Sequence, residues 1–436
     1  MYDIVIGRNE GDRKKLGLNG TVFLGKHYVK MGQTTSLSNN IYMDVSSSHV
    51  VMICGKRGSG KSYSASVIAE EMTRMPDEIK ENVSGLFFDT LGVFWTMKYP
   101  NEREENLLQE WNLKPEGLKI NLHTPVGYFE QAKKDGIPTD KPFSLKTSEL
   151  GADDWCSVFN IKLTDPLGIL VERVVESLRE ETKEYSILDI IKRIQEDKKS
   201  PKEVKDAIEN RFTAADRWGL FDEYGTEIEE LVKPGEVSVL DISVYTNISG
   251  NTEIKSLVIG LISKKLLQSR IAARKAEEVQ NIEKSSSYFN DNKKQEKPLV
   301  WIFLDEAHEF LPREGKTAAT DALVQLLREG RQPGVSLVLV TQQPGEIHRD
   351  VLTQSDIVIS HRVTAKNDIE ALNAMMQSYL IADLQSYLNN LPALPGSAII
   401  LDDNSERIYP MRIHPKRSWH GGEAPSAIKV KKEFVI

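Results

Sequence analysis

Cysteine is scarce in this chain, which has two, Cys54 and Cys156, among 436 residues. Two distant cysteines exclude a disulfide-rich scaffold and do not have the spacing of a zinc site, so we expect a reducing, cytoplasmic environment. The sequence also lacks any run of 18 apolar residues, and its start has neither the basic residues nor the apolar core of a signal peptide. We therefore expect no contact with a membrane.

The chain also has no excess of positive charge. Lysine and arginine number 56 against 64 acidic residues, which gives a net charge of −8. A protein that coats nucleic acid with its whole surface is usually basic, so this composition argues against one. It leaves open a ring in which only the pore is basic.

The apolar pattern changes along the chain. Residues 1–48 alternate short apolar runs with turn residues, which predicts a short β-rich, barrel-like N-terminal domain without helical periodicity. Strands then alternate with helices, which predicts an α/β core with a parallel sheet in two parts, 49–144 and 236–415. Between them, 145–235 reads as a helical insertion or lid. Residues 277–297 are polar and predict a flexible loop, and 416–436 form a C-terminal tail that could contact a neighbouring subunit.

The stretch "GKRGSGKS" matches the phosphate-loop pattern at every fixed position. It lies between an apolar strand and a helical pattern, which is the context that separates such a loop from a chance match. Lys61 is expected to reach the β and γ phosphates of ATP, and Ser62 to bind Mg²⁺. The expected nucleotide contacts are Gly55, Lys56, Arg57, Gly58, Ser59, Gly60, Lys61, Ser62 and Tyr63.

The stretch "VWIFLDEAH" is an apolar strand followed by two acids. Asp305 is a candidate magnesium ligand, and Glu306 is placed to orient and deprotonate the attacking water. Acids are also common at helix N-termini, but their position after a phosphate loop in an α/β pattern favours the catalytic interpretation. Two acids at one strand end indicate hydrolysis rather than nucleotide binding alone.

Other candidates follow the later strands. Gln342 could sense the γ-phosphate or could merely cap a buried strand. From local sequence alone, Arg328 and Arg331 are best explained as cations at a helix end. The histidines 308, 348 and 361 lack metal-ligand spacing and are interpreted as structural or surface residues.

Together, "HVVMICGKRGSGKSYSASVIAEEM", "WIFLDEAHEFLP", "LLREGRQPGVSLVLVTQQPGEI" and "RIHPKRSWHGGEAP" resemble the HerA family of the HerA/FtsK class of ring ATPases. The resemblance covers most of residues 48–420. It implies a RecA-like P-loop NTPase core, a hexameric ring that translocates double-stranded DNA, and a NurA-type nuclease partner in DNA end resection and repair. Arg331 matches the arginine that completes a neighbouring subunit's site, which favours a catalytic role over the helix-end interpretation. In such a ring the candidates for pore contacts to DNA lie in loops past the strand ends and could equally be ordinary exposed side chains; they are Arg313, Lys316, His348 and Arg349.

Three features depart from the family pattern. The N-terminal piece is shorter than the usual β-barrel, "TQQP" stands where many relatives have an arginine after the first glutamine, and the helical segment 145–235 has no assigned role. A second hypothesis is therefore a ring ATPase that gates a partner effector in antiviral defence or signalling. A motor that remodels protein or moves a substrate at a membrane is a third.

Overall fold

The computed structural model describes residues 2–31, 34–248, 250–285, 297–376 and 384–422. Within these ranges the strands are β1 (Ile4–Ile6), β2 (Thr21–Met31), β3 (Thr34–Asp44), β4 (Val50–Cys54), β5 (Val83–Asp89), β6 (Ile120–Pro125), β7 (Lys141–Phe143), β8 (Leu145–Lys146), β9 (Phe221–Asp222), β10 (Val237–Asp241), β11 (Leu299–Leu304), β12 (Val335–Thr341), β13 (Ile357–Ser360), β14 (Ser397–Asp402) and β15 (Arg407–Ile413).

The α-helices in the same ranges are α1 (Glu10–Leu16), α2 (Lys61–Thr73), α3 (Asp77–Lys80), α4 (Glu105–Glu110), α5 (Val126–Lys134), α6 (Ala152–Val158), α7 (Pro166–Glu181), α8 (Ile187–Glu196), α9 (Lys202–Asp216), α10 (Ile228–Leu231), α11 (Asn251–Ser285), α12 (Thr320–Glu329), α13 (Arg349–Gln354), α14 (Lys366–Met376) and α15 (Leu384–Asn390). No helix in the described ranges is long and apolar enough to cross a bilayer.

Thirteen of the described strands form one mixed sheet in the order β1-β3-β2-β15-β14-β13-β4-β12-β11-β5-β10-β6-β7. From β13 to β7 every neighbouring pair is parallel, whereas β13 to β3 pair antiparallel. The predicted α/β class with a parallel sheet is confirmed. Because β4, β12 and β11 are adjacent and parallel, their carboxyl ends meet at one edge, where ligands of open α/β sheets bind.

The sheet is covered on both faces. Along β4, Val50 and Met52 pack into one apolar cluster, which includes the helices of 145–235, and Val51 and Ile53 pack into the other, which includes α2. Alternate residues of a strand point to opposite faces, so a fully apolar β4 fits burial on both sides. The strand therefore delivers the loop after Cys54 to the sheet edge in a fixed position.

The structure corrects two sequence predictions, one for the N-terminal segment and one for the polar loop 277–297. The strands of residues 1–48 do not form a barrel but extend the central sheet through β15. The same segment also contains the helix α1, which the sequence did not predict because α1 buries no residue and has no apolar periodicity. The predicted loop 277–297 is also wrong in its first part, because α11 continues to Ser285. The rest of that loop, except Lys297, lies outside the described residues.

Candidate nucleotide-binding and hydrolysis site

The loop between β4 and α2 depends on glycine at three positions. Gly58 and Gly60 have φ of 74° and 102°, in the left-handed region. A Cβ on Gly55 would lie 2.5 Å from Ser59 Oγ and 2.7 Å from His361 Cβ. Only glycine avoids these clashes, and the turn directs the chain into α2 at Lys61. The unpaired N–H groups at a helix start favour an anion such as phosphate.

Lys61 and Ser62 begin α2 at the base of this loop. The Lys61 side chain is buried, and its Nζ donates to the Lys56 carbonyl at 3.3 Å, so the ammonium folds back over the loop. Ser62 Oγ donates to Asp305 Oδ2 at 2.7 Å. This contact joins residues 243 positions apart, and it exists because only β12 separates β4 from β11. The structure therefore brings Lys61, Ser62 and Asp305 together as predicted.

Asp305 is almost fully buried just beyond the end of β11. Its Oδ1 accepts a hydrogen bond from the Glu306 N–H at 2.9 Å. Burial raises the pKa of the Asp305 carboxyl, and the Ser62 hydrogen bond acts against that rise. A serine hydroxyl and a carboxylate are oxygen donors of the kind that Mg²⁺ prefers, so the residues present fit this ion.

Glu306 has two features that a purely structural acid would not need. Its φ of 50° lies in the left-handed region, which costs a non-glycine residue about 1–3 kcal/mol. Its Oε2 is buried and has no hydrogen-bond partner in the described structure. Burial and the negative charge of Asp305 raise the pKa of Glu306 to about 7, against the opposing effect of Lys61. A carboxylate that has a raised pKa and an oxygen without a hydrogen bond, and that lies beside a phosphate loop, suits a general base.

His308 is a site residue that the sequence interpretation missed. Its Nδ1 lies 3.6 Å from Glu306 Oε2 and 3.2 Å from Thr341 Oγ1, the last residue of β12. Gln342 follows directly, so the predicted γ-phosphate sensor lies at the same sheet edge. His361, interpreted as structural, is fully buried and bridges Ser64 Oγ and the Ser397 carbonyl.

Family models match both halves of this site. The model described as "Helicase HerA, central domain" matches residues 24–266, which include the phosphate loop. The model described as "Helicase HerA-like C-terminal" matches 289–402, which include Asp305 and Glu306. The chain belongs to the HerA helicase family. The central-domain model also runs through the helical segment 145–235.

Related proteins carry the same family name, and a solved structure shares the fold. The chain is 30% identical to "Probable DNA double-strand break repair helicase HerA" of Methanocaldococcus jannaschii over 39% of this chain and 36% of that protein. It is 22% identical to "DNA double-strand break repair helicase HerA" of Sulfurisphaera tokodaii over 69% and 52%. VirB4 of Thermoanaerobacter pseudethanolicus shares the fold, with a TM-score of 0.56 at 13% identity over 91% of this chain and 97% of that one.

The matches cover between 26 and 52% of the length of the HerA-type and other helicase relatives. Family membership and the P-loop ATPase fold therefore rest on the shared core. Activity, substrate and partners of this HerA-family chain are proposals.

Arg331 lies far from the phosphate loop of its own chain. It precedes β12, whereas Glu306 and Gln342 follow β11 and β12, so the seven-residue length of β12, roughly 20 Å, separates the two ends. Its Nη2 donates to the Gln354 carbonyl at 2.6 Å and lies 3.3 Å from Asp356 Oδ1. The structure does not bring Arg331 to the site within one chain, so any contact with a γ-phosphate would have to be made in another subunit.

The two candidate DNA loops, 311–317 and 345–350, form one surface. Pro312 and Ile347 form a β-bridge, and the Arg313 N–H donates to the Glu346 carbonyl at 2.8 Å. Arg313 Nη1 also donates to the Gly345 carbonyl, at 3.3 Å.

Of the other candidates on this surface, the exposed Lys316 pairs with Asp321 at 2.8 Å. Arg349 is exposed, and the His348 side chain accepts the N-cap hydrogen bond of α13.

The C-terminal segment packs against its own chain over residues 414–422. The buried Glu70 of α2 accepts hydrogen bonds from the Arg417 N–H at 3.0 Å and from the Ser418 N–H and hydroxyl. The Trp419 N–H donates to the Tyr99 carbonyl at 2.7 Å. The described part of the predicted tail thus makes contacts within its own chain. Residues 423–436, for which a neighbour contact was considered, lie outside the described residues.

Proposed function

We propose that this HerA-family chain is a Mg²⁺-dependent ATPase that works as a hexameric ring and moves along double-stranded DNA. The observation that carries the proposal is the contact between Ser62 and Asp305, beside which Glu306 has an oxygen without a hydrogen bond to any described residue. This is the set of groups that phosphoryl transfer to water requires, since most of its catalysis is positioning and charge stabilisation.

Each residue has a defined task in hydrolysis. The loop N–H groups and Lys61 hold the phosphates, and Ser62 and Asp305 would hold the magnesium ion, which neutralises phosphate charge. Glu306 accepts the proton of the attacking water, and Gln342 at the end of β12 helps to orient that water. Arg331 is supplied by a neighbouring subunit and stabilises the charge that grows on the γ-phosphate oxygens.

The DNA proposal is supported by family membership and by the relatives named as DNA double-strand break repair helicases. The surface formed by loops 311–317 and 345–350 lies past the ends of β11 and β12, next to the hydrolysis site. A conformational change at Glu306 during hydrolysis therefore has only a short distance to travel to this surface. We propose that it contacts DNA phosphates in the pore and that the ring acts with a NurA-type nuclease in end resection.

ATPase activity with and without duplex DNA tests this proposal. We expect stimulation by duplexes of unrelated sequence and a steep loss of DNA binding as salt rises, because contacts to phosphates release counterions. Lys61→Ala should lack the activity in both conditions. An ATPase rate that is the same with and without duplex DNA would contradict the DNA motor and favour a ring that gates a partner effector. No hydrolysis in either condition would contradict the ATPase itself.

A further inference from the structure

A cleft of about 690 Å³ opens beside the phosphate loop, between α2 and the C-terminal segment 414–422. Its volume is within the usual range of small-molecule sites, about 300–1,000 Å³. Of the described residues, its lining takes in Gly58, Ser59 and Tyr63 but neither Asp305 nor Glu306. The cleft therefore extends from the end of the loop that lies away from the hydrolytic acids.

The direction in which a bound triphosphate lies follows from these positions. The Lys61 ammonium and the two acids mark the γ-phosphate end, so the α-phosphate lies on the other side of the loop, next to the cleft residues Gly58, Ser59 and Tyr63. Whatever is attached to the α-phosphate must then leave the loop toward the cleft. For a nucleotide, that part is the ribose and the base.

The cleft offers aromatic surface at this position. Tyr63, Trp419 and His420 all line it, and the Tyr63 and His420 rings contact edge-to-face with centroids 5.3 Å apart. Burial and the nearby Lys416 charge lower the pKa of His420 to about 4, so its ring is neutral at physiological pH. Trp419 leaves 37% of its surface exposed. Flat, neutral rings of this kind stack on nucleobases.

The segment that carries Trp419 is anchored through its backbone. Glu70 on α2 holds the Arg417 and Ser418 N–H groups, and the Tyr99 carbonyl holds the Trp419 N–H. The Trp419 carbonyl accepts from the buried Lys416 Nζ at 3.2 Å. Because these anchors use main-chain atoms, the indole is not needed to dock the segment. The chain thus fixes the Trp419 backbone next to the phosphate loop and leaves more than a third of the residue's surface exposed for another contact.

We infer that this cleft is the nucleobase and ribose subsite of the nucleotide site, with Trp419 as the aromatic side chain against which the base stacks. The inference rests on the proposed function, since it assumes that a nucleoside triphosphate occupies the phosphate loop. It adds that the C-terminal segment of the same chain completes the site.

The test compares ATP with inorganic tripolyphosphate, which has the phosphates but no base, in binding measurements with Mg²⁺. Trp419→Ala should raise the Kd for ATP roughly tenfold, as expected for loss of base stacking, and leave the Kd for tripolyphosphate unchanged. Trp419→Phe, which keeps an aromatic ring, should retain most of the ATP affinity. Tyr224→Ala removes an exposed aromatic side chain outside the cleft and should change neither value.

Three results would overturn the subsite while the proposed function survives. They are an unchanged ATP affinity in Trp419→Ala, an equal loss for both ligands, and wild-type protein that binds tripolyphosphate as tightly as ATP. An equal loss would mean that the indole only supports the loop. If wild-type protein binds neither ligand, the nucleotide site itself is absent and the proposed function fails with it.

Discussion

Buried charges gather at both edges of the parallel strands, and the two clusters differ in how well they are paired. At the carboxyl edge, Asp305 and Glu306 lie side by side with raised pKa values, and one Glu306 oxygen has no partner in the described structure. At the amino edge, His49 just before β4 lies between Asp356 and Asp44, at 2.6 and 3.3 Å.

The pairing at the amino edge is close to complete. Arg8 binds Asp44 at 2.7 Å, and the Val50 N–H donates to Asp356 at 2.8 Å. Burial by itself lowers the pKa of His49, but the hydrogen bonds to Asp356 and Asp44 outweigh it and raise this pKa to about 9. Burial likewise raises the pKa of Asp44, yet the bonds from His49 and Ser46 and nearby charges hold it at about 2.

The comparison separates structure from chemistry. Paired charges stabilise one arrangement, and here they join the N-terminal strands to the core. An acid that is buried without a partner costs stability, and such a cost is common where a group must exchange a proton or bind a ligand. Arg331 differs from the other charges of the amino-edge cluster. It contacts Asp356, but 44% of its side chain is exposed.

Arg331→Ala is the substitution with the largest expected effect, because Arg331 lies in the amino-edge cluster but is assigned a role in hydrolysis. If Arg331 completes a neighbour's site, turnover should fall by roughly 10³–10⁵, as for other arginines that stabilise phosphoryl transfer. ATP binding should persist. Arg328→Ala is the matched control, since Arg328 at the same helix end pairs with Asp350 and should be nearly neutral.

Mixed rings show whether Arg331 acts between subunits. Arg331→Ala subunits keep Glu306, and Glu306→Gln subunits keep Arg331, so mixing two inactive proteins should restore part of the ATPase activity. Mixtures that form rings and stay inactive would contradict action across the subunit boundary.

Glu306→Gln should lower turnover by about 10²–10⁴, which is the usual contribution of a general base. Nucleotide binding should be nearly unchanged. Unlike most buried substitutions, this one should leave the free energy of unfolding equal or higher, because it removes a buried carboxylate next to Asp305. Glu309→Gln, an exposed acid three residues later, is the control for both measurements. Normal turnover in Glu306→Gln would remove that residue from the role of base.

The carboxyl-edge cluster was predictable from sequence and the amino-edge cluster was not. Gly55 to Ser62 and Asp305 to Glu306 each follow an apolar strand, so local pattern places them at the sheet edge. The bond between His49 and Asp356 joins residues 307 positions apart, and no local signal marks it. Sequence also placed β5, β11, β12 and β13 because fully buried parallel strands are long apolar runs.

Weak local signals explain why β15 and the role of His308 were not predicted. β14 and β15 carry the antiparallel pairs that join the N-terminal strands to the core, and β15 is mostly half-buried or exposed, so its apolar signal is weak. His308 belongs to no sequence pattern that assigns it a role next to Glu306. Its place is set by Thr341 at the end of another strand.

Asp356→Asn tests whether the amino-edge charges stabilise the fold. It removes one partner from a buried, paired cluster, so the free energy of unfolding in urea should fall by about 3–5 kcal/mol. Asp403→Asn, an exposed acid nearby, should stay within about 0.5 kcal/mol of wild type. A stable Asp356→Asn protein would mean that the amino-edge pairs add little to the fold.

The smallest expected effect is a pH dependence from His49. Its pKa of about 9 in the folded protein is above the ordinary value of 6.5, so the protonated ring stabilises the fold. That contribution is complete below pH 6.5 and is lost as pH rises through 9, with a maximum of about 3 kcal/mol. Burial lowers the pKa of Lys416 from 10.5 to about 8, so its contribution to stability rises from pH 8 upward, in a window that overlaps that of His49 and with the opposite sign.

The measurement is therefore a difference between two proteins. Urea unfolding at pH 6.5 and 9 should show that wild type loses more stability over this range than His49→Gln, which keeps a hydrogen-bonding side chain but cannot titrate. Asp44 does not complicate the result, because its pKa of about 2 lies below its ordinary 3.8 and its contribution is lost only in acid. Equal losses in the two proteins would mean that His49 is not held as a cation between Asp44 and Asp356.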